Sequence, residues 1–200
     1  MELIVISEPG AATEEALTIN QLFKAGLKRL HLRKPGWDNK QLTKLLMQID
    51  KAFHHEIALH QHHEIAGDFD MKRLHYTEQH RMNTDLKKMS RQNKEGYVLS
   101  TSVHDLSTLA RLTLFDYAFF GPVFNSISKQ EYQSSLKDGF QIDKKCIKTK
   151  VIALGGVEET NLGKVKQMNF DGAAVLGAVW NDPTRAVVNL KSLMQKLTTW

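Results

Sequence analysis

The sequence predicts an α/β protein, a (β/α)8 TIM barrel built as a single domain over residues 1–200. Eight short apolar runs alternate with helical-period stretches from one end to the other, the pattern of a parallel sheet with crossover helices. The last two runs leave through small residues, Gly155-Gly156 and Gly177-Ala178, as in barrels whose loops after strands seven and eight face a ligand. An open, doubly wound sheet is the alternative. Its dinucleotide-binding form is weakened because the first run exits through Ser7-Glu8-Pro9-Gly10, which lacks the glycine spacing of that motif.

The elements follow in order. Strands are expected at Leu3–Ile6, Arg29–Leu32, Glu56–Leu59, Arg73–Tyr76, Tyr97–Thr101, Tyr117–Phe120, Val151–Leu154 and Gly172–Leu176. Helices are expected at Thr13–Ala25, Asn39–Ala52, a short piece at His63–Phe69, Thr84–Arg91, Asp105–Leu112, Glu159–Met168 and Thr184–Leu197. Glu14 and Glu15 put negative charge in a first turn, where the helix dipole favours it. Asp182-Pro183 reads as a helix start. Ala186, Leu190, Leu193, Met194 and Leu197 recur at helical spacing, so the last helix turns one face to the core. Between strands six and seven, residues 121–150 are polar and weakly periodic, and are expected to form a lid over the strand ends.

Composition excludes several classes. No apolar run approaches the roughly 18 residues of a membrane span, and the start, Met1-Glu2-Leu3-Ile4-Val5-Ile6, lacks the basic n-region of a signal peptide. It reads as the first strand of a cytoplasmic protein. One cysteine, Cys146, rules out an internal disulfide framework. The net charge of +5 suits an anionic ligand or a solvated surface, and no dense basic stripe with interleaved aromatics points to nucleic acid. A homo-oligomer stays open.

Side chains at strand C-termini gather in the barrel mouth. They include His31, Arg33 and Lys34, then His60 and Gln61, then His75, Thr77 and Glu78, then Ser100, Ser102 and His104. Ser126, Ser128 and Lys129 follow in the lid. Such a mouth favours an anion, with Arg33 able to make a two-pronged contact. Bare amides at Gly155, Gly156, Gly177 and Ala178 form a candidate phosphate cradle; the same glycines also suit tight strand-to-helix turns. His60-Gln61-His62-His63 invites a metal reading, but neighbours on a strand face opposite sides, so a polar loop is preferred and no metal site is expected. Ser102 and His104 share a face, without an evident acid to orient the histidine.

Several landmarks occur together: Leu32-Arg33 ending strand two, Ser102-Val103-His104, Gly121-Pro122-Val123-Phe124 with Ser126, Ser128 and Lys129, Ala153-Leu154-Gly155-Gly156-Val157, and Asp171-Gly172-Ala173-Ala174-Val175. Over nearly the whole chain this order resembles the thiamine phosphate synthase/TenI superfamily. The resemblance implies a barrel that takes a small-molecule thiazole phosphate, held by Ser126, Ser128, Gly155, Gly156 and Gly177. The family's synthases join hydroxymethylpyrimidine diphosphate to thiazole phosphate with magnesium on the diphosphate. Of that half, Arg33, Ser102 and Lys129 match. His31 stands for a glutamine, Pro35 for a second lysine, His60-Gln61 for Asn-Asp and His80 for the second aspartate. Gln61 and His80 therefore remove both metal carboxylates, and a hard ion is poorly served by amide or imidazole.

The TenI branch is similar in the Met-Glu-Leu start, the His31-x-Arg33 of strand two and the Ser102-Val103-His104 after strand five. It implies a thiazole tautomerase that moves a proton and needs no cofactor. The histidine such enzymes carry after the strand-six glycine is Pro122 here, leaving His31, His60 and His104, with Lys129, as catalytic candidates. A synthase with an altered magnesium and diphosphate site, and a non-catalytic phosphate binder, are the alternatives.

Overall fold

The computed structural model describes residues 1–125, 136 and 139–198. Eight parallel strands close into a barrel in chain order: β1 (Glu2–Ile6), β2 (Leu30–Leu32), β3 (Ile57–Leu59), β4 (Arg73–Tyr76), β5 (Val98–Val103), β6 (Tyr117–Phe120), β7 (Lys150–Leu154) and β8 (Gly172–Val175). Strand β8 pairs with β1 through Leu3↔Ala173 and Val5↔Val175, which closes the ring. These are the eight expected strands. The largest boundary change is β5, which runs two residues further, to Val103, because Val103 still buries its side chain.

Alternation divides the strands between two cores. Outward residues such as Val5, Leu32, Leu59, Leu74, Leu99 and Val151 pack under the outer layer. Inward residues Ile4, Ile6, Tyr117, Phe119, Ile152 and Ala174 fill the barrel itself. Most of the apolar filling comes from β1 and β6–β8; the facing wall, β2–β5, adds Val98 but otherwise contributes His31, His75 and Ser100, all three buried. A polar half-core of this kind requires internal hydrogen-bond partners.

The outer layer holds α1 (Glu15–Lys24), α2 (Asn39–Leu46), α3 (Glu78–Met82), α4 (Leu86–Lys94), α5 (Leu162–Gln167), α6 (Gly177–Trp180) and α7 (Ala186–Thr198). Helix α2 opens on a capping box in which Asp38 accepts from the Gln41 amide while the Gln41 side chain accepts from the Asp38 amide. Expected helices differ where the chain is short. Asn39–Ala52 splits, because Asp50 caps a separate 3₁₀ segment, Lys51–Glu56. His63–Phe69 and Leu106–Arg111 are also 3₁₀ turns. Helices α3 and α6, each a turn or so long, have no counterpart among the expected elements. Trp180 of α6 donates its indole N–H to the Ile6 carbonyl at 2.8 Å, tying the last unit to the first.

Of the expected lid, residues 126–135, 137 and 138 lie outside the described residues. The described beginning lies along the end of β7, with Val123 N–H on the Leu154 carbonyl (2.9 Å) and Phe124 N–H on the Gly155 carbonyl (3.0 Å). The described end is pinned at the opposite pole by Lys144 to Asp171 at 2.6 Å. No helix among the described residues is long and apolar enough to cross a membrane.

Candidate active site

The C-terminal rim carries the sequence candidates, at different depths. His31 sits inside the barrel with no exposed surface, below the rim. Its Nε2 lies 2.7 Å from the Tyr117 hydroxyl and its Nδ1 2.8 Å from His60 Nε2. Register explains the arrangement: His31 pairs with Ala58, two residues short of His60, so its ring lies one layer deeper. Leu59 pairs with Leu74, which sets His60 beside His75, and those two rings stack with centroids 4.0 Å apart. His75 holds Ser100 Oγ at 2.9 Å and Ser102 Oγ at 3.0 Å.

Burial keeps all three imidazoles neutral, with mutual repulsion adding to it. His31 and His60 fall well below the ordinary histidine range. His75 is lowered to about 3, by burial and then by the charge of His63. Tyr117 is pushed up by the same loss of water. The expectation that His31 points into the open mouth is therefore corrected: it is a core residue. His60, 7% exposed, is the outermost of the three, and its Nδ1 is buried without a hydrogen-bond partner.

Lys34 is corrected as well. Its side chain turns away from the mouth, fully buried, and its Nζ donates to the carbonyls of Glu8 and Gly10 (2.6 Å each) and to Glu15 Oε2 (2.5 Å). Arg33 stays at the mouth. Its backbone is fixed by Ser7, whose Oγ accepts from the Arg33 amide at 2.9 Å. Its guanidinium makes no ion pair among the described residues, and its charge bears on both His60 and His75. Gln61 is held by the backbone of Lys34, donating to its carbonyl.

Ser102 bonds His75 at 3.0 Å, and His104 bonds Glu78. The acid that sequence reasoning missed is Glu78 at the start of α3. Its Oε2 lies 2.8 Å from His104 Nδ1 and its Oε1 is 3.5 Å from Arg81. Ser100 and Ser102 face inward on β5 while Thr101 and Val103 face out; His104 follows at a bend just past the strand end, and its partner Glu78 also reaches Arg81, which donates to Thr101 at 3.1 Å. The His104 side chain is 62% exposed. The pair spans 26 residues, and only the adjacency of β4 and β5 reveals it.

Across the mouth, β7 and β8 end level, with Leu154 opposite Ala174. Gly155 and Gly156 follow with φ of +94° and +64°. A Cβ at Gly155 would lie 2.9 Å from Pro122 Cα, and one at Gly156 2.7 Å from the Asn125 carbonyl oxygen. Tight turning and the close approach of 122–125 thus each demand glycine here. Gly177 and Ala178, half-buried at the exit of β8, complete this rim. Ser126, Ser128 and Lys129 lie outside the described residues.

The magnesium implied by the family resemblance does not fit this donor set. Gln61 offers an amide already bonded to backbone. His80 packs its ring against Tyr76 and His63. Among the described residues the one cluster of three or more metal-capable side chains is His31, His60 and His75. Imidazoles are poor partners for a hard cation.

Comparisons agree with this architecture. A thiamine-phosphate synthase of Mannheimia succiniciproducens is 24% identical over 202 residues, covering 94% of this chain and 90% of that protein. One from Staphylococcus carnosus is 23% identical, covering 86% and 79%. The crystal structure of thiamine phosphate pyrophosphorylase from Bacteroides thetaiotaomicron superposes with a TM-score of 0.77 at 26% identity, covering 99% of this chain and 98% of that one. The Pyrococcus furiosus thiamine phosphate pyrophosphorylase shares the fold, with a TM-score of 0.75 at 18% identity over 98% and 96%. The family model for thiamine monophosphate synthase, TMP-TENI, matches residues 3–179, and the chain belongs to that family.

Proposed function

We propose that the protein is a thiazole tautomerase of the TenI kind, acting on a thiazole phosphate carboxylate without a divalent cation. The observation that carries this reading is the pairing of His104 with Glu78 at a rim lacking the family's two metal carboxylates. Glu78 fixes Nδ1 of His104 as the protonated nitrogen and leaves Nε2 as the acceptor, the arrangement of a general base. Nε2 takes a proton from the saturated ring carbon of the non-aromatic substrate. The imidazolium, stabilised by Glu78, returns that proton to another atom of the conjugated system, so nothing is gained or lost overall.

The substrate's two anionic ends find separate partners. The amides of Gly155, Gly156, Gly177 and Ala178 face the phosphate, and Arg33 takes the carboxylate. In the closed barrel β7 and β8 face β3 and β4, and the base follows β5, two strands along from β7, so the phosphate and the base are to hold different parts of one small molecule. Ser126, Ser128 and Lys129 are proposed to cover it. His31 and His60 support the mouth from below.

The test is incubation of purified protein with the non-aromatic thiazole phosphate carboxylate, following aromatisation by ultraviolet absorbance. Conversion above background supports the reading; none overturns it. A second reading, the synthase reaction, draws on the names of the curated relatives. Magnesium-dependent formation of thiamine phosphate from hydroxymethylpyrimidine diphosphate and thiazole phosphate would establish it instead. Tight thiazole phosphate binding with no turnover in either assay would identify a non-catalytic binder.

A further inference from the structure

The histidines beneath the mouth have no part in that proton transfer, yet three of them turn a ring nitrogen toward one another. His31, His60 and His75 come from the ends or middles of three adjacent strands. One ring nitrogen from each lies within 4.8 Å of the others, and all three side chains are buried. Apolar side chains would fill the same volume without needing partners, as Ile4, Ile152 and Ala174 do on the opposite wall. Here the polar groups are only partly satisfied: His60 Nδ1 has no hydrogen-bond partner although it is enclosed.

We propose that His31, His60 and His75 form a buried site for one borderline transition-metal ion, with zinc as the representative. Neutral imidazole is a preferred donor for zinc, cobalt, nickel and copper, whereas magnesium and calcium want oxygen. The outer contacts are those that hold ligating histidines in place. His31 has the Tyr117 hydroxyl at 2.7 Å on the nitrogen opposite His60, and His75 has a serine on each nitrogen. One of those serines yields to the ion and the other keeps the ring oriented.

Two adjustments accompany binding. Two nitrogens at about 2.0–2.1 Å from a tetrahedral ion stand roughly 3.4 Å apart, so the 2.8 Å contact between His31 and His60 must open. His60 follows the last residue of β3, and its ring turns out of the stack with His75 without breaking the ladder. The proton between the two histidines moves to His31 Nε2, which donates to the Tyr117 oxygen. Tyr117 turns its own proton toward Ser100, its other neighbour. No proton leaves the site, and no bond beyond coordination forms.

The experiment strips the purified full chain with chelator and titrates it with Zn(II), Co(II) and Mg(II) by calorimetry, recording the visible spectrum of the Co(II) form. The expected result is one equivalent of zinc or cobalt at micromolar affinity or better, a Co(II) spectrum of nitrogen ligands in low symmetry, and no magnesium binding. His31→Gln and His60→Asn each lower zinc affinity by roughly two orders of magnitude. His55→Gln, at an exposed position, leaves it unchanged. Circular dichroism of the metal-free variants separates lost ligands from lost fold. If a variant fails to fold, the nitrogen hyperfine structure of Cu(II) bound to the unmodified chain counts the imidazoles. Absence of binding by the stripped protein, retention of binding in both folded variants, or fewer than three nitrogens on copper would overturn the proposal. None of these readouts depends on tautomerase turnover.

Discussion

Glu78 Oε2 and His104 Nδ1 meet at 2.8 Å where β4 and β5 reach the mouth, 26 residues apart in the chain. A carboxylate on one ring nitrogen settles which nitrogen is free for chemistry. Replacing His104 with Gln is expected to lower the rate of thiazole aromatisation by about 10²–10⁴-fold. Glu78→Gln keeps a hydrogen bond to Nδ1 but removes the charge that stabilises the imidazolium, so it should lower kcat by a smaller factor. In both variants KM for the thiazole substrate should stay close to the original, because neither residue holds the phosphate. Steady-state kinetics check this, and a change confined to KM would contradict both roles.

Lys34 offers a stability test remote from the chemistry. Its side chain is wholly buried, and its three acceptors match the three protons of an ammonium group. Glu15, 3% exposed, is raised above the usual carboxylate range chiefly by burial, against the lowering pull of Lys34. Removing one partner leaves an uncompensated charge in the interior. Lys34→Ala is expected to cost about 3–5 kcal/mol, measured by urea unfolding. A loss of under about 1 kcal/mol would mean that water reaches the pair.

Acid should destabilise the metal-free fold early. His75 is lowered to about 3 and His63 to about 4, both mainly by burial, and His31 and His60 fall well below the ordinary value of 6.5. The unfolded chain binds protons at these sites in the window where the folded chain does not. Their stabilisation is therefore full above about pH 6.5 and is lost as the pH falls toward 3–4. Each contributes up to about 1.4 kcal/mol per pH unit within that window. Unfolding free energies measured from pH 7 to pH 4 should decline steeply, and a flat profile would show that these histidines are charged in the folded state.

The strands are legible in the sequence because each is a short apolar run closed by a break in pattern, and a strand buried on both faces carries that signal in its own residues. Helices are less so. His63–Phe69 and Leu106–Arg111 carry enough periodicity to suggest a helix but wind as 3₁₀ turns, and α6 begins on Gly177, a residue that reads as an exit. Side-chain clusters are the hardest to read. His31 is expected at the mouth, yet its depth depends on pairing with Ala58, a register that only the closed barrel defines. Glu78 is visible among the residues that follow strand four, but its partner His104 lies just past the end of the next strand. Gly155 and Gly156 suit a turn on sequence grounds alone, while the backbone that crowds them comes from residues 122–125.

That crowding yields the last test. Gly156 has φ +64°, and an added Cβ would lie 2.7 Å from the Asn125 carbonyl oxygen and 2.8 Å from that of Phe124. Both are main-chain atoms, so relief requires the 122–125 segment to move off the rim. Gly156→Ala should cost about 1–3 kcal/mol from the left-handed backbone, with the clash adding to it. Because 122–125 packs directly on the rim proposed to cradle phosphate, the same displacement should weaken thiazole phosphate binding in calorimetry. Gly67→Ala is the control, since nothing lies within 4 Å of its Cβ position and its φ is not in the left-handed region. If Gly156→Ala is destabilised as expected yet binds thiazole phosphate unchanged, the glycines serve the turn alone and the phosphate must be held elsewhere on the mouth.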